Sequence, residues 1–153
     1  MTRIDFYILP AEGGSDPVVA AARLCDKAVS AGHSLYATTP DAAQLNALDD
    51  LLWTQRQGSF ITHERFVRDA PTEPLPKVLL GDAEPPEGWQ DVLLNLGQEV
   101  PAFFSRFERV LEIVPGDAAS RAKCRERFKF YRDRGYELKT FEQTAEGGWV
   151  AKG

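Results

Sequence analysis

Positively charged side chains are concentrated in one short part of this 153-residue chain. The segment from Arg121 to Lys139 contains eight basic and three acidic residues, which gives it a net charge of +5. The rest of the chain contains ten basic and twenty acidic residues, so the net charge of the whole is −5. A basic island on an acidic protein favours one localised acidic partner over a long polyanion.

The spacing of these residues predicts a helix with cations beside an apolar face. At ~100° per residue, four basic side chains fall within one quadrant: Arg121, Arg125, Lys129 and Arg132. Phe128 lies beside that quadrant, and Cys124 and Tyr131 continue from it into the apolar face. A separate basic stripe is expected on the far side of the helix, made of Lys123, Arg127 and Arg134. The first arrangement suits a peptide with a hydrophobic anchor and acidic groups, or a free carboxylate, because the arginine fork binds carboxylates through two hydrogen bonds.

The pattern alone leaves two alternative roles open for this helix. A charged run on a terminal helix is more often a solvated face, and basic residues near a helix C-terminus also complement its dipole. Single-stranded nucleic acid likewise binds cations interleaved with aromatic rings. The acidic background of the rest of the chain disfavours that second alternative.

Residues that could carry catalysis are sparse elsewhere. The first loop, Pro10 to Asp16, has no glycine-rich phosphate motif and contains two acidic residues. The two histidines, His33 and His63, have no second ligand at metal-binding spacing. Asp49 and Asp50 are adjacent on a predicted helix, so they cannot face each other across a substrate. The sequence therefore predicts a binding protein without cofactor or metal rather than an enzyme, the alternative being a small α/β domain that binds a nucleotide or another small molecule.

Strand-like and helix-like segments alternate along the chain. Apolar runs predict strands over 4–9, 34–39, 77–81, 91–96 and 109–114, and a short extended segment over 58–63. Capping signals and apolar spacing predict helices over about 16–31, 40–52 and 117–134. This alternation is typical of an α/β domain with a mostly parallel sheet flanked by helices. We expect a surface loop over 65–76, a short edge strand over 136–141, one domain over residues 1–142 and a loose tail over 143–153.

Composition sets the class of protein. Hydrophobic residues make up 43% of the chain, which is enough for the core of one ordinary domain. The absence of a long apolar run and of a signal-peptide pattern predicts a cytoplasmic protein. Cys25 and Cys124 are widely separated, so we expect both to be core residues rather than ligands or a disulfide.

Four segments, in order and at matching spacing, resemble the bacterial DNA polymerase III chi subunits. The basic helix carries the most specific of them, Arg125 to Arg132 followed by Gly135-Tyr136. The others are the first strand, Asp5 to Leu9, the helix that ends in a tryptophan, Leu48 to Trp53, and the segment Ser59 to His63. Thr62 departs from the family pattern, in which proline is usual at that position.

The resemblance implies a single-domain, three-layer Rossmann-like fold with no phosphate-binding loop. It implies an accessory, non-catalytic subunit of the polymerase III holoenzyme, which pairs with the psi subunit and through it joins the clamp loader. Family members also bind the acidic C-terminal tail of single-stranded-DNA-binding protein. Carried over by position, this places Arg125 on the terminal carboxylate, Lys129 and Arg121 near the acidic residues, and Phe128 with Val114 around the terminal phenylalanine. Psi binding maps to Trp53 and Phe60. The same resemblance implies that the protein is located with the replisome at the nucleoid.

Overall fold

Eight strands form one sheet in the computed structural model, which describes residues 2–54, 63–65 and 77–152. The strands are β1 (Arg3–Ile8), β2 (Leu35–Thr38), β3 (His63–Arg65), β4 (Val78–Gly81), β5 (Val92–Asn95), β6 (Arg109–Val114), β7 (Glu137–Gln143) and β8 (Trp149–Lys152). Their order is β3-β4-β2-β5-β6-β1-β7-β8. All neighbours are parallel except β7 and β8, which pair antiparallel. The expectation of an α/β, Rossmann-like fold with a mostly parallel sheet is confirmed.

Helices cover both faces of this sheet. They are α1 (Pro17–Ser30), α2 (Ala42–Thr54) and α3 (Ala118–Asp133), with a 3₁₀ turn over Phe104–Arg106. Helix α1 begins as predicted, because Asp16 accepts a hydrogen bond from the Val18 backbone nitrogen and Pro17 occupies the first helical position. In the described residues, no helix is long and apolar enough to cross a membrane.

Two apolar layers lie on either side of the sheet. The first packs α1 and α2 against one face and includes Cys25 and Leu48. The second packs α3 and the 3₁₀ turn against the other face and includes Phe6, Cys124 and Tyr131. Every residue of β4 and β5 is buried, as expected for strands covered on both sides. Both cysteines are free and buried, in agreement with the prediction that they belong to the core.

Trp149–Lys152 form a strand within the segment 143–153, for which the sequence predicted a loose tail. Residues 149–152 pair with β7 from Gln143 opposite Trp149 to Thr140 opposite Lys152. The connecting turn is closed by a 2.8 Å hydrogen bond from the Thr144 backbone nitrogen to the Gly148 carbonyl. The Trp149 ring packs edge-on against Tyr7, with 5.0 Å between ring centroids. The sheet therefore continues past residue 142, and β8 rather than β7 is its edge.

The part of the chain around β3 is described only in part. The predicted extended segment over 58–63 contributes His63 to β3, and its other residues lie outside the described residues. The predicted surface loop over 65–76 also lies outside them, except for Arg65, which belongs to β3.

Candidate functional site

A cavity of about 480 Å³ lies between α3 and the strands β1 and β7. Helix α3 forms its wall, and Phe128 of this helix forms the floor together with one residue from each strand. The residues that line it are Ile8, Cys124, Arg125, Phe128, Lys129, Arg132 and Thr140. We call this space the α3 cavity. It brings together three of the predicted site residues, since Arg125, Phe128 and Lys129 all line it.

Helix α3 positions these side chains through its own spacing and its cap. Residues three or four apart lie on the same side of a helix, which places Arg125, Phe128 and Lys129 beside one another. Asp117 caps the start of the helix, and its carboxylate accepts hydrogen bonds from the backbone nitrogen and the hydroxyl of Ser120, at 3.0 and 2.7 Å. These bonds hold the pKa of Asp117 below its usual value. Buried Cys124 and Tyr131 fix the rotation of α3 on the sheet.

The floor of the α3 cavity is apolar at Phe128 and Ile8, and its rim is cationic. Phe128 is half-buried and its ring packs against Phe6, with 5.4 Å between centroids. Ile8, also partly exposed, ends β1 beneath it. Arg125, Lys129 and Arg132 are exposed above this apolar surface. The arrangement can hold an apolar side chain while arginine and lysine groups bind negative charge next to it.

Arg121 lies at one end of the cavity rather than inside it. Its Nε donates to the Gly116 carbonyl and its Nη2 to the Leu9 carbonyl, both at 3.1 Å. It lines a smaller adjoining cavity of about 220 Å³, and Ile8 belongs to both spaces. A guanidinium has five N–H donors, so Arg121 keeps donors for a ligand after making these two bonds.

The structure places Val114 below the cavity surface. Val114 is fully buried and pairs with Ile8 across β1 and β6. The side chain exposed to the cavity at this point is therefore Ile8, which the sequence pattern did not indicate. The sequence does not reveal that Ile8 and Val114 pair at the ends of two parallel strands, which is why it indicated Val114 instead. The remaining predicted residues belong to another region, since Trp53 lies in the last turn of α2 and Phe60 lies outside the described residues.

Arg127 is buried, and the prediction that it belongs to an outward basic stripe is wrong. Its side chain is 3% exposed, and its Nε lies 3.1 Å from Oε1 of the fully buried Glu112. Arg127 Nη1 also donates to the Gln98 carbonyl at 2.7 Å. The reason is helical spacing, because Arg127 lies three residues after Cys124 and four before Tyr131, both of which face the core.

Glu112 gathers several donors around this buried pair. It accepts hydrogen bonds from Asn95 Nδ2 at 2.9 Å and from the Tyr131 hydroxyl at 2.7 Å, in addition to Arg127. Burial raises the pKa of Glu112, while the Arg127 charge and these hydrogen bonds lower it. The cluster ties α3 to β5 and β6, and so it fixes the helix that lines the α3 cavity.

A second cavity, of about 470 Å³, lies at the carboxyl ends of β2 and β5. Open α/β sheets hold nucleotides at such a position, where neighbouring strands lead to opposite faces. Here the described lining residues include the carboxylates Asp41, Asp82 and Glu99 and no lysine or arginine. These carboxylates would repel a phosphate, so the charge of this cavity disfavours the nucleotide-binding alternative.

Comparisons with a family model and with individual proteins point to the same family. The sequence model of the family described as "DNA polymerase III chi subunit, HolC" matches residues 1–139. A DNA polymerase III subunit chi of Pseudomonas aeruginosa is 41% identical over 138 residues, which cover 90% of this chain and 94% of that protein. Proteins of the same name from Haemophilus influenzae and Escherichia coli are 28% and 26% identical and cover 88% and 92% of this chain, and 93% and 97% of their own lengths. Strand β8 lies beyond the residues that the family model matches.

Proposed function

The chain belongs to the DNA polymerase III chi subunit family, and on this premise we propose that it is a non-catalytic adaptor of the polymerase III holoenzyme. In this proposal, the α3 cavity binds the acidic C-terminal tail of single-stranded-DNA-binding protein. The end of α2 and the segment that follows it bind the psi subunit, which connects the chain to the clamp loader. The protein acts in the cytoplasm, with the replication machinery at the nucleoid.

The observation that carries the tail-binding proposal is the apolar floor directly beneath exposed cations. Phe128 and Ile8 offer an apolar surface for a hydrophobic C-terminal side chain. Arg125 stands beside Phe128, where its fork can bind the free carboxylate of the same residue. Lys129 and Arg121 flank that point and attract the acidic residues that precede the C-terminus. One short peptide with an acidic stretch and an apolar end satisfies all of these groups together.

Arg125→Ala tests this assignment. Removing one partner of a charged pair should weaken binding of an acidic peptide ending in Pro-Phe by about 2 kcal/mol, or roughly thirtyfold. Fluorescence anisotropy of the labelled peptide measures the affinity, and a C-terminally amidated peptide serves as a second probe. Amidation should weaken binding to the unmodified protein and change little in the Arg125→Ala variant, because the carboxylate and Arg125 are proposed to act as a pair.

Arg134→Ala is the matched control for this experiment. It removes the same charge from the end of the same helix, but Arg134 lies over the Phe130 ring, 3.6 Å from its centroid, and does not line the α3 cavity. Its affinity for the peptide should stay close to that of the unmodified protein. Equal binding by Arg125→Ala and the unmodified protein would refute the role of Arg125. Failure of the unmodified protein to bind the free-acid peptide would refute tail binding altogether.

The psi-binding proposal rests on family membership and on the resemblance of two segments. Trp53 lies in the last turn of α2, and Phe60 follows seven residues later in the sequence. We expect Trp53→Ala to abolish co-elution with the psi subunit in size-exclusion chromatography, because large aromatic side chains dominate the energetics of protein interfaces. The same variant should bind the tail peptide normally, which shows that it is folded. Unchanged co-elution of both Trp53→Ala and Phe60→Ala would move the psi interface elsewhere.

A further inference from the structure

Strand β8 exposes two side chains on the same face of the sheet as the α3 cavity. Trp149 and Phe141 pack against Tyr7, which faces α1. Successive side chains in a strand point to opposite faces. Val150 and Lys152 therefore lie on the face that α3 covers. Val150 is 52% exposed and is the one exposed large hydrophobic residue in the part of the chain that the structure describes.

Lys152 is adjacent to the α3 cavity through the pairing of β7 and β8. Its cross-strand partner is Thr140, which forms part of the cavity floor. Neighbouring strands are ~4.8 Å apart, and directly opposed side chains on one face are separated by a similar distance. The cationic rim on α3 and the lysine on β8 consequently lie on opposite sides of Thr140. A peptide that lies over Thr140 would therefore have α3 on one side and β8 on the other, and we call this path the trough.

Lys152 is held only weakly in its present position. Its Nζ lies 3.4 Å from Oε1 of Glu142, and the two side chains are 55% and 52% exposed. Exposed pairs of this kind contribute little free energy. Glu142 is also on the α3 face, since it pairs with Ile8 across β1 and β7. An incoming carboxylate can therefore replace Glu142 as the partner of Lys152, whereas Glu142 itself repels an acidic ligand.

We propose that β8 is the outer wall of the peptide-binding trough, and that Lys152 pairs with an acidic residue upstream of the peptide's C-terminal side chain while Val150 contacts its apolar groups. This inference rests on the tail-binding function proposed for α3. An extended peptide advances about 3.3 Å per residue and neighbouring strands are ~4.8 Å apart, so one or two residues span the step from Thr140 to β8. Strand β8 lies beyond residues 1–139, which the family model matches, so the resemblance to the family assigns it no role.

The proposal is tested by measuring how substitutions in the C-terminal hairpin change the affinity for two peptides. One is the acidic peptide ending in Pro-Phe, and the other has every aspartate replaced by asparagine. Lys152→Ala should weaken binding of the acidic peptide about three- to fivefold and leave binding of the neutral peptide unchanged. Glu142→Gln should strengthen binding of the acidic peptide, because it removes a repulsive charge and frees Lys152. Val150→Ser should weaken binding of both peptides, since it removes an apolar contact.

Lys139→Ala is the matched control, because it removes one lysine from the same hairpin on the opposite face of β7. Lys139 pairs in register with Asp5, which faces away from α3, so both peptides should bind this variant as they bind the unmodified protein. If Lys152→Ala binds the acidic peptide normally while Arg125→Ala does not, β8 is not a wall and the α3 assignment still holds. If the unmodified protein binds neither peptide, the function proposed for α3 fails together with this inference.

Discussion

Arg127 lies inside the protein, although it belongs to the most basic segment of the chain. The carboxylate it meets, Glu112, is in the middle of β6, whose other central residues are apolar. A buried carboxylate requires donors, and Arg127, Tyr131 and Asn95 supply them. A glutamate inside an otherwise apolar strand was therefore the sequence signal that one cation of the helix must face inward.

We predict that Arg127→Ala destabilises the protein by about 3 kcal/mol, because it leaves Glu112 buried without its charged partner. The free energy of unfolding, measured by urea denaturation at neutral pH, tests this value. Arg125→Ala is the matched comparison, since that arginine is exposed and its loss should change stability by less than about 0.5 kcal/mol. An equal, small effect of both substitutions would show that the buried pair contributes nothing to stability.

The same variant should have a characteristic pH dependence. Burial raises the pKa of Glu112, and without Arg127 less opposes that rise. A raised pKa in the folded state means that the native protein binds the proton more tightly than the unfolded chain does. Protonation therefore favours folding, and this contribution is lost as the pH rises through the raised pKa. The stability deficit of Arg127→Ala should shrink as the pH falls toward the ordinary glutamate value of 4.5.

At the scale of elements, the sequence correctly predicted the helix ends and buried strands that depend on neighbouring residues. Asp117 and Gly135 bracket α3 as expected, because a side-chain cap begins the helix and glycine at φ 81° follows its end. The apolar runs of β4 and β5 similarly predicted strands buried on both faces. These features depend on residues close together in the sequence, so the sequence alone was sufficient.

Elements that depend on distant partners were predicted less well. Strand β8 was missed because its polar and glycine-rich surroundings resemble a tail, while its main apolar partner, Tyr7, is near the other end of the chain. The exposure of Ile8 and the burial of Val114 likewise depend on how β1 and β6 pair and on where α3 crosses them. The helix of the candidate site was thus predictable from the sequence, whereas the floor of its cavity and the presence of β8 required the fold.

At the scale of the whole molecule, charge separation distinguishes the proposed peptide ligand from nucleic acid. The chain carries a net charge of −5, yet three exposed cations of α3 line one cavity. Acidic residues line the second cavity at the ends of β2 and β5. A short acidic peptide meets only the cationic part of this surface. A longer polyanion would extend from the cavity over acidic surface and lose affinity through repulsion.

We therefore predict that the protein binds the acidic tail peptide but not single-stranded DNA at moderate salt. Nucleic-acid binding depends on neutralising several phosphates in succession, and its affinity falls steeply with salt as counterions are released. Anisotropy titrations of a labelled oligothymidylate and of the peptide, at roughly 50 and 200 mM salt, measure both affinities. The peptide should bind at both concentrations, more weakly at the higher one, because its attraction comes partly from exposed charges. Oligonucleotide binding that persists at the higher salt and is lost in Arg125→Ala would instead make the α3 cavity a nucleic-acid site, since the same cations would then be neutralising phosphates.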